Sequence, residues 1–186
     1  MYCNKSLKEY LDDLAARLPT PGGGSAAALT AGLGSALISM VVNFTFGKPK
    51  YAKYEDQLKK TLKRSEKLRN EFLNLVDLDV VTYQSKDIRQ AMKVCLRVCR
   101  LCLEGIKLCP PLIKKGNPNL ISDVAVAVVL LEAAFMSAAF NVEINLKTMA
   151  DKKLTTRIRK ELKNKEKLIK RIRLQMEEKV GKIISG

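Results

Sequence analysis

Residues 18 to 47 contain no charged side chain, and they open with Leu-Pro-Thr-Pro-Gly-Gly-Gly-Ser. Thirty uncharged residues in a chain of net charge +15 belong in an interior, and their length favours a helix over a strand. Three consecutive glycines lie between a proline turn and Ser25, so backbone N–H groups stand uncovered at the positive end of that helix. The turn formed by Thr20, Gly22, Gly23, Gly24 and Ser25 is therefore suited to close approach by a ligand, with Ser25 as the expected helix cap. A flexible linker is the other reading of a glycine run.

A second apolar stretch, residues 124 to 142, contains only Glu132 as a charged residue. Both stretches are long enough to cross a bilayer. In the first, however, Ala28, Gly32 and Ala36 recur every four residues, as do Ala27, Ala31, Ser35 and Ser39. Small residues on two sides fit a helix with close protein neighbours, whereas a lipid-facing helix is bulky all round. No apolar core of a signal peptide precedes residue 18. The expectation is a cytoplasmic protein without membrane insertion.

The remaining periodicity is helical throughout. Ser6 with Glu9 forms a capping box, and Leu7, Leu11, Leu14, Ala15 and Leu18 keep helical spacing up to Pro19. The second helix is expected from Ser25 to about Phe46, stopped by Gly47 and Pro49. A third, from about Lys53 to Gln84, aligns Leu58, Leu62, Leu68, Phe72 and Leu75. A fourth starts near Asp87 and stops at Pro110 and Pro111, ahead of the loop Gly116-Asn117-Pro118-Asn119. Ser122 is the expected cap of the fifth, which runs to about Thr148. The last, from Thr155 or Thr156, carries Ile158, Leu162, Ile169, Ile172, Met176, Val180 and Ile183 in one stripe. The fold class is all-α, a multihelical bundle with two long apolar central helices, and residues 1–186 are read as one domain. Two such helices exceed what one subunit needs, which points to a homodimer.

Composition narrows the chemistry. The chain has no His, which removes Ser-His and Cys-His nucleophile pairs and His-containing zinc sites. Its five cysteines are Cys3, Cys95, Cys99, Cys102 and Cys109, and no second cluster faces the last four, so neither a disulfide scaffold nor a metal site is expected. Cys95, Cys99 and Cys102 share one helix face, where they read as small core residues. Residues 152 to 182 hold thirteen Lys or Arg against four Glu. No aromatic residue interrupts them and no RNA-binding or zinc-finger motif is present, so nucleic acid is not an expected partner.

One carboxylate is out of place. The stripe Leu68, Phe72, Leu75 continues through Asp79 to Tyr83, which puts Asp79 on the inward face of its helix. A carboxyl there needs partners or a raised pKa, and it is a candidate general base or acid; a salt bridge or helix-end hydrogen bond is the other reading. Asp77 points to another face and reads as solvated. Asn117, Ser122 and Asp123 form a second candidate set, with ordinary capping as its alternative. Asn141 and Asn145, one turn apart in an apolar helix, must bond to facing helices or reach a polar ligand.

Together these residues resemble the cyclodeaminase domain of formiminotransferase-cyclodeaminase, shared with stand-alone bacterial methenyltetrahydrofolate cyclohydrolases. The resemblance rests on Leu18-Pro-Thr-Pro-Gly-Gly-Gly-Ser-Ala-Ala-Ala28, Asp79 with Tyr83, Gly116-Asn117-Pro-Asn-Leu-Ile-Ser122-Asp123 and Asn141-Val-Glu-Ile-Asn145-Leu. It implies an all-helical cytoplasmic homodimer acting on the one-carbon unit of tetrahydrofolate, without a metal. It further implies catalytic roles for Asp79 and Asp123, and substrate contacts from Thr20, Gly22, Gly23, Gly24, Ser25, Tyr83, Asn117, Ser122, Asn141 and Asn145. The chain departs from the family in a shortened segment after Tyr83, in Cys95 where Pro is usual and in Thr82 where Ala is usual. The shortened segment supports a second reading, a helical dimer that binds folate or serves as an interaction module without turnover.

Overall fold

The computed structural model of the chain describes residues 1–185. A 3-10 turn at Tyr2–Asn4 precedes α1 (Leu7–Ala15) and α2 (Gly23–Asn43). A second 3-10 turn, Pro49–Tyr54, leads into α3 (Glu55–Gln84), followed by α4 (Ile88–Ile106) and α5 (Cys109–Lys115). A third, Pro118–Leu120, leads into α6 (Ile121–Lys147), and α7 (Lys152–Ile184) ends the chain. No strand occurs among the described residues.

The two apolar helices lie side by side and antiparallel. Gly23 faces Asn141, Gly34 faces Leu131 and the carbonyl of Ala127, and the N–H of Asn117 donates to Thr45 Oγ1 at 2.9 Å. A Cβ on Gly34 would stand 2.8 Å from Leu131 Cγ, so the glycine is what lets the two helices come this close. On its other flank α2 meets α3, with Phe72 against Gly32 and the Ser39 and Ser65 hydroxyls 2.8 Å apart. The fully buried Phe72 and Leu68 each stabilise this packing by about 1.5–3 kcal/mol. α4 packs beneath α6, where the Cys99 thiol donates to the Phe135 carbonyl at 3.7 Å.

Charge and packing together hold α7. Ile158, Leu162, Ile169, Met176 and Val180 face inward, while Arg100 clasps Glu161 through two 2.8 Å bonds. Arg159 reaches Glu143 and Arg173 reaches Glu132, both on α6. The basic helix is thus tied to the bundle by carboxylates of its neighbours and its own Glu161.

Local signals were partly overruled. Ser6 accepts from the Glu9 N–H as a cap should, but Leu7, Leu11 and Leu18 are exposed and only Tyr10 of α1 is buried. Helix α2 begins two residues earlier than Ser25, with Gly22 as its cap, so Ser25 lies inside the first turn. Pro110 does not merely end a helix: it sits in the first turn of α5, where its missing N–H has no intrahelical partner to lose. Ser122 is not the cap of α6 either. Pro118 starts a 3-10 turn capped by Asn117, whose side chain accepts from Asn119 N–H at 3.2 Å, and that turn runs straight into α6. Ile183 is exposed rather than part of the buried stripe. All four helical cysteines are buried, and burial pushes the Cys99 and Cys109 thiols up to about 12.

Candidate active site

Asp79 stands where the first turn of α2 meets α3. Its Oδ2 accepts the Ser25 N–H at 2.9 Å, and the Cys95 thiol lies 3.8 Å from Oδ1. Gly24 makes this possible, because a Cβ at that position would overlap all three atoms of the carboxylate. The close approach expected of the glycine turn is real, and a carboxylate of the protein itself occupies it. Burial raises the Asp79 pKa, and the Ser25 amide and the Cys95 thiol offset this only in part. The Cys95 thiol is pushed up well beyond its usual range by its own burial and by Asp79, so it remains a donor.

The roles of the neighbours differ from the sequence reading in several places. Ser25 is fully buried and its hydroxyl pairs with Tyr10 OH at 3.1 Å, so it supports Asp79 rather than facing a substrate. Burial raises the Tyr10 pKa and keeps the phenol neutral. Asp77, read as solvated, is only 3% exposed: it accepts the Tyr2 and Cys3 N–H groups and ties the N-terminus to α3. Tyr83 is not on the buried face. It stands exposed beside a cleft of about 530 Å³ lined also by Pro19, Thr82, Lys86, Ile88 and Asn145. Lys86 holds a left-handed backbone conformation, φ 58°, in the short connection between α3 and α4.

The structure brings together the glycine turn, Asp79, Tyr83, Asn141 and Asn145. Asn141 returns its amide N–H to the Ser137 carbonyl of its own helix at 2.9 Å, and it lies against Gly23. Thr20 enters the turn through a cis bond to Pro21. The set Asn117, Ser122 and Asp123 is elsewhere: Gly116 and Asn117 meet Val41 and Thr45 at the far end of α2. Ser25 and Thr45 are twenty residues apart in sequence, about 30 Å along the helix. Tyr10 and Cys95 were missed as site neighbours, because both carried ordinary core signals and only the crossing of α1, α3 and α4 places them here. Among the described residues no cluster of three or more Cys, Asp or Glu forms a metal-ligand set.

Comparison with known proteins decides the family. The formiminotransferase-cyclodeaminase family model matches residues 6–87 and 84–164. The chain belongs to the formiminotransferase-cyclodeaminase family. A methenyltetrahydrofolate cyclohydrolase of Methylorubrum extorquens is 38% identical over 182 residues, covering 86% of this chain and 88% of that protein. A formimidoyltransferase-cyclodeaminase of Rattus norvegicus is 29% identical over 169 residues, covering 78% of this chain, which matches only 31% of that longer protein. The crystal structure of a formiminotetrahydrofolate cyclodeaminase from Thermotoga maritima superimposes with a TM-score of 0.92 at 28% identity, covering 97% of this chain and 98% of the other. Within this family fold, the glycine turn and Asp79 meet at the N-terminal end of α2.

Proposed function

We propose that this family member is a folate one-carbon enzyme, a methenyltetrahydrofolate cyclohydrolase working as a cytoplasmic homodimer on one compact domain. The observation that carries the reading is Asp79: a carboxyl with a raised pKa, held by a helix N-terminal amide one helical turn from Tyr83, which lines an open cleft. Hydrolysis adds water to the cationic carbon that bridges two folate nitrogens. As the C–O bond forms, the Asp79 carboxylate takes a proton from the water. The tetrahedral centre then collapses: its remaining O–H proton leaves to solvent, one C–N bond breaks, and Asp79 returns its proton to the departing nitrogen. Burial raises the pKa of this carboxyl, which makes it a better proton acceptor in the first step and leaves it able to return the proton in the second.

The cleft suits the substrate. About 530 Å³ falls within the usual range for small-ligand sites, and Tyr83 offers an aromatic face for a pterin ring. Lys86 at the same cleft offers a cation to the glutamate carboxylates. The free, buried thiols of α4 fit a reducing compartment.

A second reading, formiminotetrahydrofolate cyclodeaminase, is favoured by the likeness to the Thermotoga maritima enzyme of that name. There a folate nitrogen closes on the formimino carbon and ammonia leaves with the proton that Asp79 supplies. Purified protein incubated separately with the two substrates tells them apart by methenyl absorbance. Cyclohydrolase activity consumes that absorbance, cyclodeaminase activity generates it, and a protein inert towards both overturns the enzymatic reading.

A further inference from the structure

Helix α7 carries more charge than its packing uses. Ile158, Leu162, Ile169 and Met176 fix its inner face, Arg100 of α4 clasps Glu161 on one flank, and Arg159 and Arg173 reach Glu143 and Glu132 of α6 on the other. The ridge opposite the apolar stripe holds Lys153, Arg157, Lys160, Lys167 and Arg171, at spacings of four, three, seven and four residues. Lys163 and Lys170 stand beside it. All seven cations are exposed, and among the described residues none is paired with a carboxylate. From Lys153 to Arg171 the row runs about 27 Å. The acidic residues of α7 leave it clear. Asp151 caps the helix by accepting the Leu154 N–H, Glu161 is held by Arg100, and Glu166 stands two turns from Arg159 on the flank that meets α6. Glu177 and Glu178 come only past Leu174, where Arg173 and Lys182 pair with them.

We propose that this ridge is a peripheral attachment site for an anionic phospholipid bilayer, on which α7 lies parallel to the headgroups. Like charges one turn apart repel, so Lys153 with Arg157, Lys163 with Lys167 and Lys167 with Arg171 strain the free helix and are relieved when phosphates meet them. A row of this kind is drawn to an anionic surface by every cation it carries, over a range of about 10 Å at 0.1 M salt. Nucleic acid offers phosphates as well, and the end of the row favours the bilayer. Leu174 follows Arg171 by three residues on the same ridge and is 49% exposed, while Ile183 and Ile184 at the helix end are 48% and 65% exposed. Aliphatic side chains enter the acyl boundary beneath the headgroups, whereas a phosphodiester backbone gives them nothing to enter. No aromatic side chain stands on α7 to stack on a base. Attachment through one outer helix inserts no segment, so α2 and α6 stay in the bundle and binding is reversible.

Co-sedimentation with vesicles tests this without reference to turnover. The protein should pellet with vesicles of phosphatidylglycerol and phosphatidylcholine in equal parts and stay in solution with phosphatidylcholine alone. It should be released at about 1 M salt, where the range of the attraction falls to about 3 Å. Lys160→Glu, Lys163→Glu and Lys167→Glu combined should weaken binding about 100-fold with helical circular dichroism unchanged. Lys48→Glu, Lys60→Glu and Lys63→Glu combined make the same change of net charge away from α7 and should bind within a few-fold of wild type. Leu174→Ser should weaken vesicle binding a few-fold and leave any binding of duplex DNA as it was. Failure to pellet with the anionic vesicles, equal loss in the two charge variants, or equal binding to phosphatidylcholine alone would overturn the proposal. So would duplex DNA that strips the protein from vesicles at equal phosphate while Leu174→Ser has no effect, which would assign the ridge to nucleic acid instead.

Discussion

The Ser25 amide and the Asp79 carboxylate meet at 2.9 Å across fifty-four residues of sequence, and the missing side chain of Gly24 is what clears the way. A helix N-terminus and a carboxyl attract each other wherever they approach, so this contact is a fixed feature of the bundle. It also makes the consequences of small substitutions sharp.

Gly24 and Gly23 should respond oppositely to one methyl group. Alanine at Gly24 puts its Cβ 2.6 Å from Asp79 Cγ, so the carboxylate must move; the expected cost is about 1–3 kcal/mol, with turnover reduced at least tenfold. At Gly23 the nearest atom is the movable Asn141 amide at 3.2 Å, and alanine should be neutral or stabilising by about 0.5–1 kcal/mol. Chemical denaturation of the two variants side by side checks this. Equal effects would mean that Gly24 does not shape the site.

Asp79→Asn should reduce turnover about 100-fold or more while substrate affinity changes only a few-fold. Its stability effect has a definite sign. The folded-state pKa lies above the unfolded value, so the native protein binds the proton more tightly and wild-type stability falls as pH rises through that window. The neutral Asn does not titrate. Its melting temperature should equal or exceed that of the wild type at pH 7, and the gap should close as pH falls towards 4. An Asn variant that is less stable at pH 7 than at pH 4, relative to wild type, contradicts this assignment.

Cys95→Ala removes a donor that stabilises the ionised carboxylate. The Asp79 pKa should rise further, moving the acidic limb of the pH–rate profile to higher pH without loss of helix content. An unmoved limb would show that the thiol only fills space.

Asp77→Ala should leave turnover intact and free the N-terminus. The Tyr2 and Cys3 amides lose their acceptor, at an expected cost of about 1–3 kcal/mol. Limited proteolysis should then cut within the first five residues faster than in the wild type.

Much of the bundle was legible before any coordinates. Leu58, Leu68, Phe72 and Leu75 announced the inner face of α3, and small residues at Ala27, Ala31 and Ser35 announced close packing around α2, because side-chain spacing on a helix is a local property. Asp79 stood out for the same reason. Its neighbour Asp77 did not, since the amides that bury it arrive from seventy-five residues away. Helix starts were misplaced at Ser25 and Ser122 because backbone turns entered by Pro21 and Pro118 begin the helical rise before a side-chain cap is needed.

Residue types and their periodicity therefore determined a helical protein with two long apolar central helices and a carboxylate on a face that should be apolar. Only the tertiary structure decided what that carboxylate touches, that Tyr10 and Cys95 stand behind it, and that Asn117 lies at the other end of α2 in the same protomer. The division follows from range. Helical periodicity acts over three or four residues, whereas a site assembled from α1, α2, α3 and α4 depends on how long helices cross, and no single helix encodes that crossing.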